Sequence, residues 1–361
     1  MRLLQIICVV LVLYFFSACQ SFQVKNNNEP VIKDRSFKNF FVLKDKVPLK
    51  GDDYVGVINE VLITNDKILI GDFEKTRKII VYNKKGEELA ILGKQGQGPG
   101  CYQSLNLFFP LNTSFYLFDP IRLTFLEFDK NLTFKKEHIF YSKLKFFDPN
   151  WFDIFHNGNI AFYSPRADDT GDCVYVFSKD LLLKKSLCKD EKLFSSINFG
   201  GLKNLCIDKK DRIWVAGFFQ PSIKIYKKNG EKLLEIQDFC NRDDFINITK
   251  NSISLQEFLK NYYSSKGIIK GIFALKDFVI IYYSIPYKWE NKIGVKSFFS
   301  LYKLDGTLLA KDIEIPPQYN FVNVWKDNLI FYDMFSNQIE QKNLNAIIYI
   351  FHLKKSIGNK L

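Results

Sequence analysis

Short apolar runs, each broken by a few polar residues, recur along this chain at a regular spacing. Five segments share one order: a strand closing on an aromatic, a Lys/Asp/Gly turn, then a second strand. They are KIIVYNKKGEELAIL from Lys78, FLEFDKNLTFKKEHI from Phe125, VYVFSKDLLLKKSL from Val174, IKIYKKNGEKLLEI from Ile223 and FSLYKLDGTLLAKDI from Phe299. The closing aromatics Tyr82, Phe128, Phe177, Tyr226 and Tyr302 are 46, 49, 49 and 76 residues apart. Upstream of each lies another strand, polar turn and strand, from VLITNDKILIGD to a sixth, VWKDNLIFYD. These pairs end at Asp72, Asp119, Ser164, Gly217, Tyr283 and Asp333, in steps of 47, 45, 53, 66 and 50. Alternation and turn chemistry make each unit four antiparallel strands, and six units with a period near 50 predict an all-β, six-bladed β-propeller. A two-sheet sandwich does not explain a sixfold recurrence.

Composition supports strands. The 361 residues are 47% hydrophobic and include 36 Phe and 18 Tyr against 2 Met, a strand-former's palette that excludes disorder. The formal charge of +12 suggests a polyanion, but only seven of the 51 basic residues are Arg. The lysines gather in hairpin turns such as Asn83–Gly86, so a nucleic-acid partner is not expected.

The N-terminus reads as an address. Leu3–Phe16 is apolar except for Gln5 and is too short to span a bilayer, so residues 1–18 read as a signal peptide. Phe16-Ser17-Ala18-Cys19 resembles a lipobox, which would lipidate Cys19 and leave residues 19–36 as a tether ahead of a propeller over 37–361. The absence of acidic residues directly after Cys19 favours the periplasmic side of the outer membrane over the cell surface. Closure of the ring has two readings: Phe37–Leu43 supplies the outer strand of the last blade, or Ile347–Leu353 completes it alone. Cys173 and Cys188 flank a hairpin symmetrically, which allows either a disulfide or two buried thiols.

Residues 68–102, ILIGDFEKTRKIIVYNKKGEELAILGKQGQGPGCY, resemble the lipid-anchored six-bladed β-propeller lipoproteins of Gram-negative envelopes, an NHL-like family. Asp72 with Arg77 and Asp119 with Arg122 match its strand-end Asp and following Arg, and Gly96–Gly100 is its most specific piece. Cys101 stands where the family usually has Glu, and later blades drop the Asp–Arg pair. The resemblance implies a fold and an envelope location but no single activity.

Propeller topology places Gly93–Ser104, the insertion 237–267 between blades 4 and 5, and Ser284–Ser297 on one face. Long loops gathered on one face of a rigid scaffold suit binding. The capping box Ser254–Glu257 predicts a short helix over 255–263 carrying Phe258 and Tyr262. With Tyr102, Tyr283, Tyr287 and Trp289 these aromatics form the expected ligand-binding set. The function expected is noncatalytic recognition of a protein, peptide or glycan by a membrane-tethered monomer without cofactor. The alternative is a calcium-dependent hydrolase or lyase using Asp72, Asp119 and Asp333 in the channel. The three histidines have neither metal spacing nor a nucleophile partner.

Overall fold

The periodic runs condense into a ring of six sheets built on four antiparallel strands each. The computed structural model describes residues 23–26, 30–53, 55–139, 149, 151–164, 172–189, 203–216, 222–237, 267–289, 292–333, 344–354 and 357. The chain begins with β1 (Gln23–Asn26), one helical turn α1 (Phe37–Phe40) and β2 (Phe41–Lys50). Blade 1 comprises β3 (Glu60–Ile63), β4 (Lys67–Asp72), β5 (Lys78–Asn83) and β6 (Glu88–Ile91). A two-stranded parallel link, β7 (Lys94–Gln95) and β8 (Cys101–Tyr102), leads to blade 2: β9 (Leu107–Leu111), β10 (Ser114–Asp119), β11 (Thr124–Phe128) and β12 (Phe134–Ile139). Blade 3 is β13 (Trp151–Ile154), β14 (Ile160–Tyr163), β15 (Asp172–Phe177) and β16 (Leu183–Lys189). Blade 4 is β17 (Leu205–Ile207), β18 (Ile213–Ala216), β19 (Ser222–Tyr226) and β20 (Lys232–Gln237). Blade 5 is β21 (Ile268–Ala274), β22 (Phe278–Trp289), β23 (Lys292–Lys303) and β24 (Leu308–Glu314). Blade 6 takes β25 (Asn320–Trp325), β26 (Asn328–Asp333) and β27 (Leu344–Leu353), and its outer strand is β2.

The aromatics that mark the repeat have a common structural role. Tyr82, Phe128, Phe177, Tyr226 and Tyr302 are all buried, and each sits where the register between third and fourth strands slips. The slip is a bulge, which bends and twists the strand pair as the radiating blade requires. Each is followed by the same turn, closed in blade 1 by Gly86 N–H on the Asn83 carbonyl at 3.0 Å and Asn83 N–H on that of Glu87 at 2.9 Å. The fourth residue of that turn has positive φ in all five blades: Gly86 (81°), Leu132 (69°), Leu181 (60°), Gly230 (92°) and Gly306 (84°).

The phenylalanines fill the seams between blades. Phe109 of blade 2 meets Phe162 of blade 3 edge-on at 5.6 Å, and Phe299 of blade 5 meets Phe321 of blade 6 at 4.9 Å. Phe37, delivered by α1, packs edge-on against Phe351 at 5.2 Å. Aromatic pairs of this kind add to the burial of their large surfaces, which accounts for the Phe-rich composition.

At the N-terminus the structure takes the first of the two closures, and one expectation changes. The ring closes through the N-terminal strand: β2 pairs antiparallel with β27 from Phe41↔Leu353 to Lys50↔Leu344. Part of the expected tether is structured as well. β1 adds a parallel fifth strand to β20, and Ile32 and Ser36 bridge Ala310 and Glu314 on the edge of blade 5. Ser284–Ser297, expected as a loop, continues the β22–β23 ladder out to Trp289↔Lys292. The insertion 238–266, with its expected helix and Phe258 and Tyr262, lies outside the described residues, as do Cys19 and Gly217.

Candidate functional site

First strands line the axis of a propeller, so an inward-facing polar side chain on one of them enters the channel. Here the first strands of blades 3, 4, 5, 6 and 1 lie successively side by side. They enclose a cavity of about 360 Å³, within the size range of small-molecule sites. Its walls are apolar and aromatic, with Trp151, Phe152, Phe273 and Trp325 from three blades. His156, Lys209, Lys276, Lys326 and Asp327, from first-to-second strand turns, form its rim. The cavity therefore belongs to the hairpin-turn face, opposite the long loops.

Glu60, Asp153, Asp208 and Asn323 interrupt this apolar tube, and Lys203 is buried behind its wall. Glu60, at the start of β3, is buried; burial raises its carboxyl to a pKa of about 7, against the opposing pull of Lys203 and the Phe108 N–H. Lys203, also buried, bridges the inner ends of three blades. Its Nζ donates to the Val322 carbonyl at 2.7 Å and lies 4.1 Å from the Trp151 ring centroid, while burial lowers its pKa to about 8 despite Glu60. Asp153 accepts the N–H of Ile207 and of Ile154, both at 2.7 Å, which couples blade 3 to blade 4. Burial nonetheless prevails over these two bonds and lifts its carboxyl to about 6. Asn323 is 4% exposed; its Nδ2 donates to the Val61 carbonyl at 2.8 Å, and its Oδ1 has no partner among the described residues. Trp325 Nε1 is likewise a buried donor without an acceptor. Both atoms are buried beneath the cavity surface, and each carries the cost of an unpaired polar group. The Cys206 thiol is raised by burial and then by Asp153 and Asp208, which leaves it a poor nucleophile.

The rim is held by ties between adjacent turns. His156 Nδ1 and its backbone N–H meet Asp211 Oδ1 at 2.8 and 2.9 Å, and Lys228 reaches the other oxygen of Asp211 at 2.5 Å. Lys209 pairs with Asp277, and the Lys276 N–H donates to Asp327 Oδ1. Asp208, deeper and buried, is taken up by the Arg212 guanidinium and by Trp214 Nε1 at 2.9 Å. Blades 3 to 6 are thus linked in order around the mouth.

The residues singled out from sequence fall elsewhere. Tyr102 and Tyr283 are fully buried: the Tyr102 hydroxyl donates to the Arg77 carbonyl at 2.7 Å, and that of Tyr283 to Asp312. Neither offers a ring to a ligand, because both fall at inward positions of their strands. Tyr287 is 42% exposed on the long hairpin, under Lys296, and the Trp289 backbone lies at that hairpin's tip. Asp72 and Asp119 end second strands, away from the channel, and their oxygens are already engaged. Burial acts upward on Asp72, but the N–H groups of Lys75, Gly56 and Val57 and the Thr76 side chain hold it below the usual carboxylate range. Asp119 accepts the N–H groups of Gln103, Ile121 and Arg122. Asp333 ends β26, and no group of three His, Cys, Asp or Glu suited to a metal occurs among the described residues. Cys173 and Cys188 come opposite each other between the pairs Asp172↔Lys189 and Val174↔Leu187. Both stand as buried thiols, with Cys173 Sγ donating to the Cys188 carbonyl at 2.7 Å.

Blade number, strand order and channel define a six-bladed β-propeller with a ligand-sized axial cavity. The chain belongs to the DUF5128 family of 6-bladed beta-propellers, which it matches over residues 23–284. No curated protein matches it. Among solved structures it is similar to a protein of Bacteroides fragilis NCTC 9343 designated as exported, at 15% identity and a TM-score of 0.62, covering 92% of this chain and 100% of that one. It is also similar to a DUF4221 member from Bacteroides vulgatus, at 11% identity and a TM-score of 0.60, covering 88% and 99%. At these identities the likeness is one of fold. No helix among the described residues is long and apolar enough to cross a membrane.

Proposed function

We propose that this protein is an exported, noncatalytic binding propeller, held at the periplasmic side of the outer membrane by lipid on Cys19. Its ligand occupies the axial cavity and enters from the hairpin-turn face. The observation that carries this reading is the cavity itself, about 360 Å³ lined by first strands of five blades, with aromatic walls and a few polar side chains. Export is supported by the N-terminal apolar run and the Cys19 context. The test is native mass spectrometry of the protein equilibrated with a small-molecule extract of cell envelopes, wild type against Ala274→Trp, which fills the cavity. Retained mass on wild type alone is the expected result; equal retention on both puts the site elsewhere.

One observation favours a catalytic reading. Glu60, Asp153 and Lys203 titrate near 7, 6 and 8, where proton-transfer groups are useful. If wild type converts the retained compound and Glu60→Gln returns it unchanged, the channel is an active site.

A further inference from the structure

The charge at the mouth is uneven in a way that selects a ligand. Around the rim most charges cancel: Lys209 against Asp277, and His156 and Lys228 against Asp211. Inside, Arg212 neutralises Asp208. Lys276 and Lys326, on the adjoining turns of blades 5 and 6, line the cavity and form no ion pair among the described residues. Lys326 instead lies 5.9 Å from the Trp325 ring centroid, and Asp327 beside it spends one oxygen on the Lys276 N–H. Below these ammonium groups the walls are mainly aromatic and aliphatic; of the carboxylates among them, Asp153 is taken up by two backbone N–H groups and Asp208 by Arg212, while Glu60 lies buried at the start of β3. The space equals roughly a dozen waters at about 30 Å³ each, enough for a body of one or two rings.

Building on the channel reading above, we infer that the site takes a small amphipathic organic anion. Its aromatic or apolar body fills the tube, and its acid group remains at the mouth against Lys276 and Lys326. The arrangement obeys the usual division of a pocket, with apolar walls supplying affinity and a few polar groups fixing orientation. A cationic ligand would face these two lysines against the single carboxylate of Asp327.

Two dyes with the same body separate the claims. 8-Anilinonaphthalene-1-sulfonate carries aromatic rings, an N–H and an acid group; N-phenyl-1-naphthylamine lacks only the acid. Fluorescence titration should show both binding wild type and neither binding Ala274→Trp. Lys276→Ala/Lys326→Ala should weaken the sulfonate about tenfold and leave the neutral dye within about twofold. Both lysines sit on exposed turns, and melting curves will verify that the variant folds. Lys179→Ala/Lys184→Ala removes two charges from the far hairpin of blade 3 and should change neither dye. If this control weakens the sulfonate as much as the mouth variant does, diffuse charge is responsible and the inference falls. If Ala274→Trp abolishes both dyes but the mouth variant affects neither, the channel binds ligands and the anionic class is wrong. If Ala274→Trp leaves both dyes bound, the channel reading itself fails.

Discussion

Glu60 and Lys203 each give up stability to remain in the channel, and the pH dependence of unfolding should reveal it. Glu60 has a folded pKa of about 7 against 4.5 for the free side chain, so the folded state binds its proton more tightly than the unfolded state. Its contribution is therefore best at acid pH and is lost as pH rises from 4.5 to 7, on the order of 3 kcal/mol in full. Asp153 acts in the same direction over the lower window from 3.8 to 6. Lys203, lowered to about 8 from 10.5, carries its full penalty below pH 8 and sheds it as pH rises toward 10.5. Urea unfolding of Glu60→Gln/Lys203→Met should lose the decline between pH 6 and 7 that wild type shows, and keep the Asp153 slope below 6. Equal slopes in the two proteins would show that Glu60 is not buried as described. None of this was legible in the sequence. Glu60, Asp153, Lys203 and Asn323 stand singly in apolar runs on four different blades, and only ring closure brings them together. The available signal was a charge inside a first strand, such as Asp153 in WFDIF. The aromatics chosen instead were poor guides because an inward strand position buries a Tyr as readily as a Phe.

Among elements, the turn after the third strand is the clearest repeat, and it shows what that repeat does and does not require. Leu132 and Leu181 hold the positive-φ position in blades 2 and 3, so the turn itself tolerates a side chain there. Gly86 is different. A Cβ on it would stand 1.9 Å from the Pro48 carbonyl oxygen of β2, because the Gly86 carbonyl accepts the Lys50 N–H at 2.7 Å where the closing strand meets blade 1. Gly86→Ala should cost at least about 2 kcal/mol in urea unfolding, since left-handed strain and a backbone clash add. Gly306→Ala, whose Cβ meets chiefly the movable Leu234 side chain, should cost less. Equal losses would mean that the joint between β2 and blade 1 does not constrain Gly86. The six units, their aromatics and their turns were readable because each is local and recurs. The partner of β2 was only half readable: Phe37–Leu43 was one of two candidates for closing the last blade, but its partner lies some three hundred residues later and nothing local decided between them. The register of β22 with β23 was hidden for another reason: Pro286, Lys288 and Lys296 read as loop chemistry, yet a two-stranded ladder extending beyond the sheet accepts them.

In the whole molecule, the N-terminal segment wraps the ring, and under the proposed lipidation it would determine how the ring meets a membrane. It lies on the outer edges of three consecutive blades, with β1 on blade 4, Ile32 and Ser36 on blade 5, and β2 on blade 6. Covering an edge satisfies backbone groups that would otherwise recruit another strand. It also shortens the leash. With lipid on Cys19 as proposed, the four residues to Gln23 span at most about 14 Å. Blade 4 is then held near the bilayer, and blade 1, opposite it in the ring, points away. In vesicles carrying the lipidated protein, Lys232 on β20 should react more slowly with an amine reagent than in the soluble Cys19→Ser form. Lys85, exposed on the blade 1 turn, should react equally in both. Equal protection of the two lysines would mean that the ring lies flat on the membrane. Protection of neither would mean that β1 releases from β20 and the tether extends.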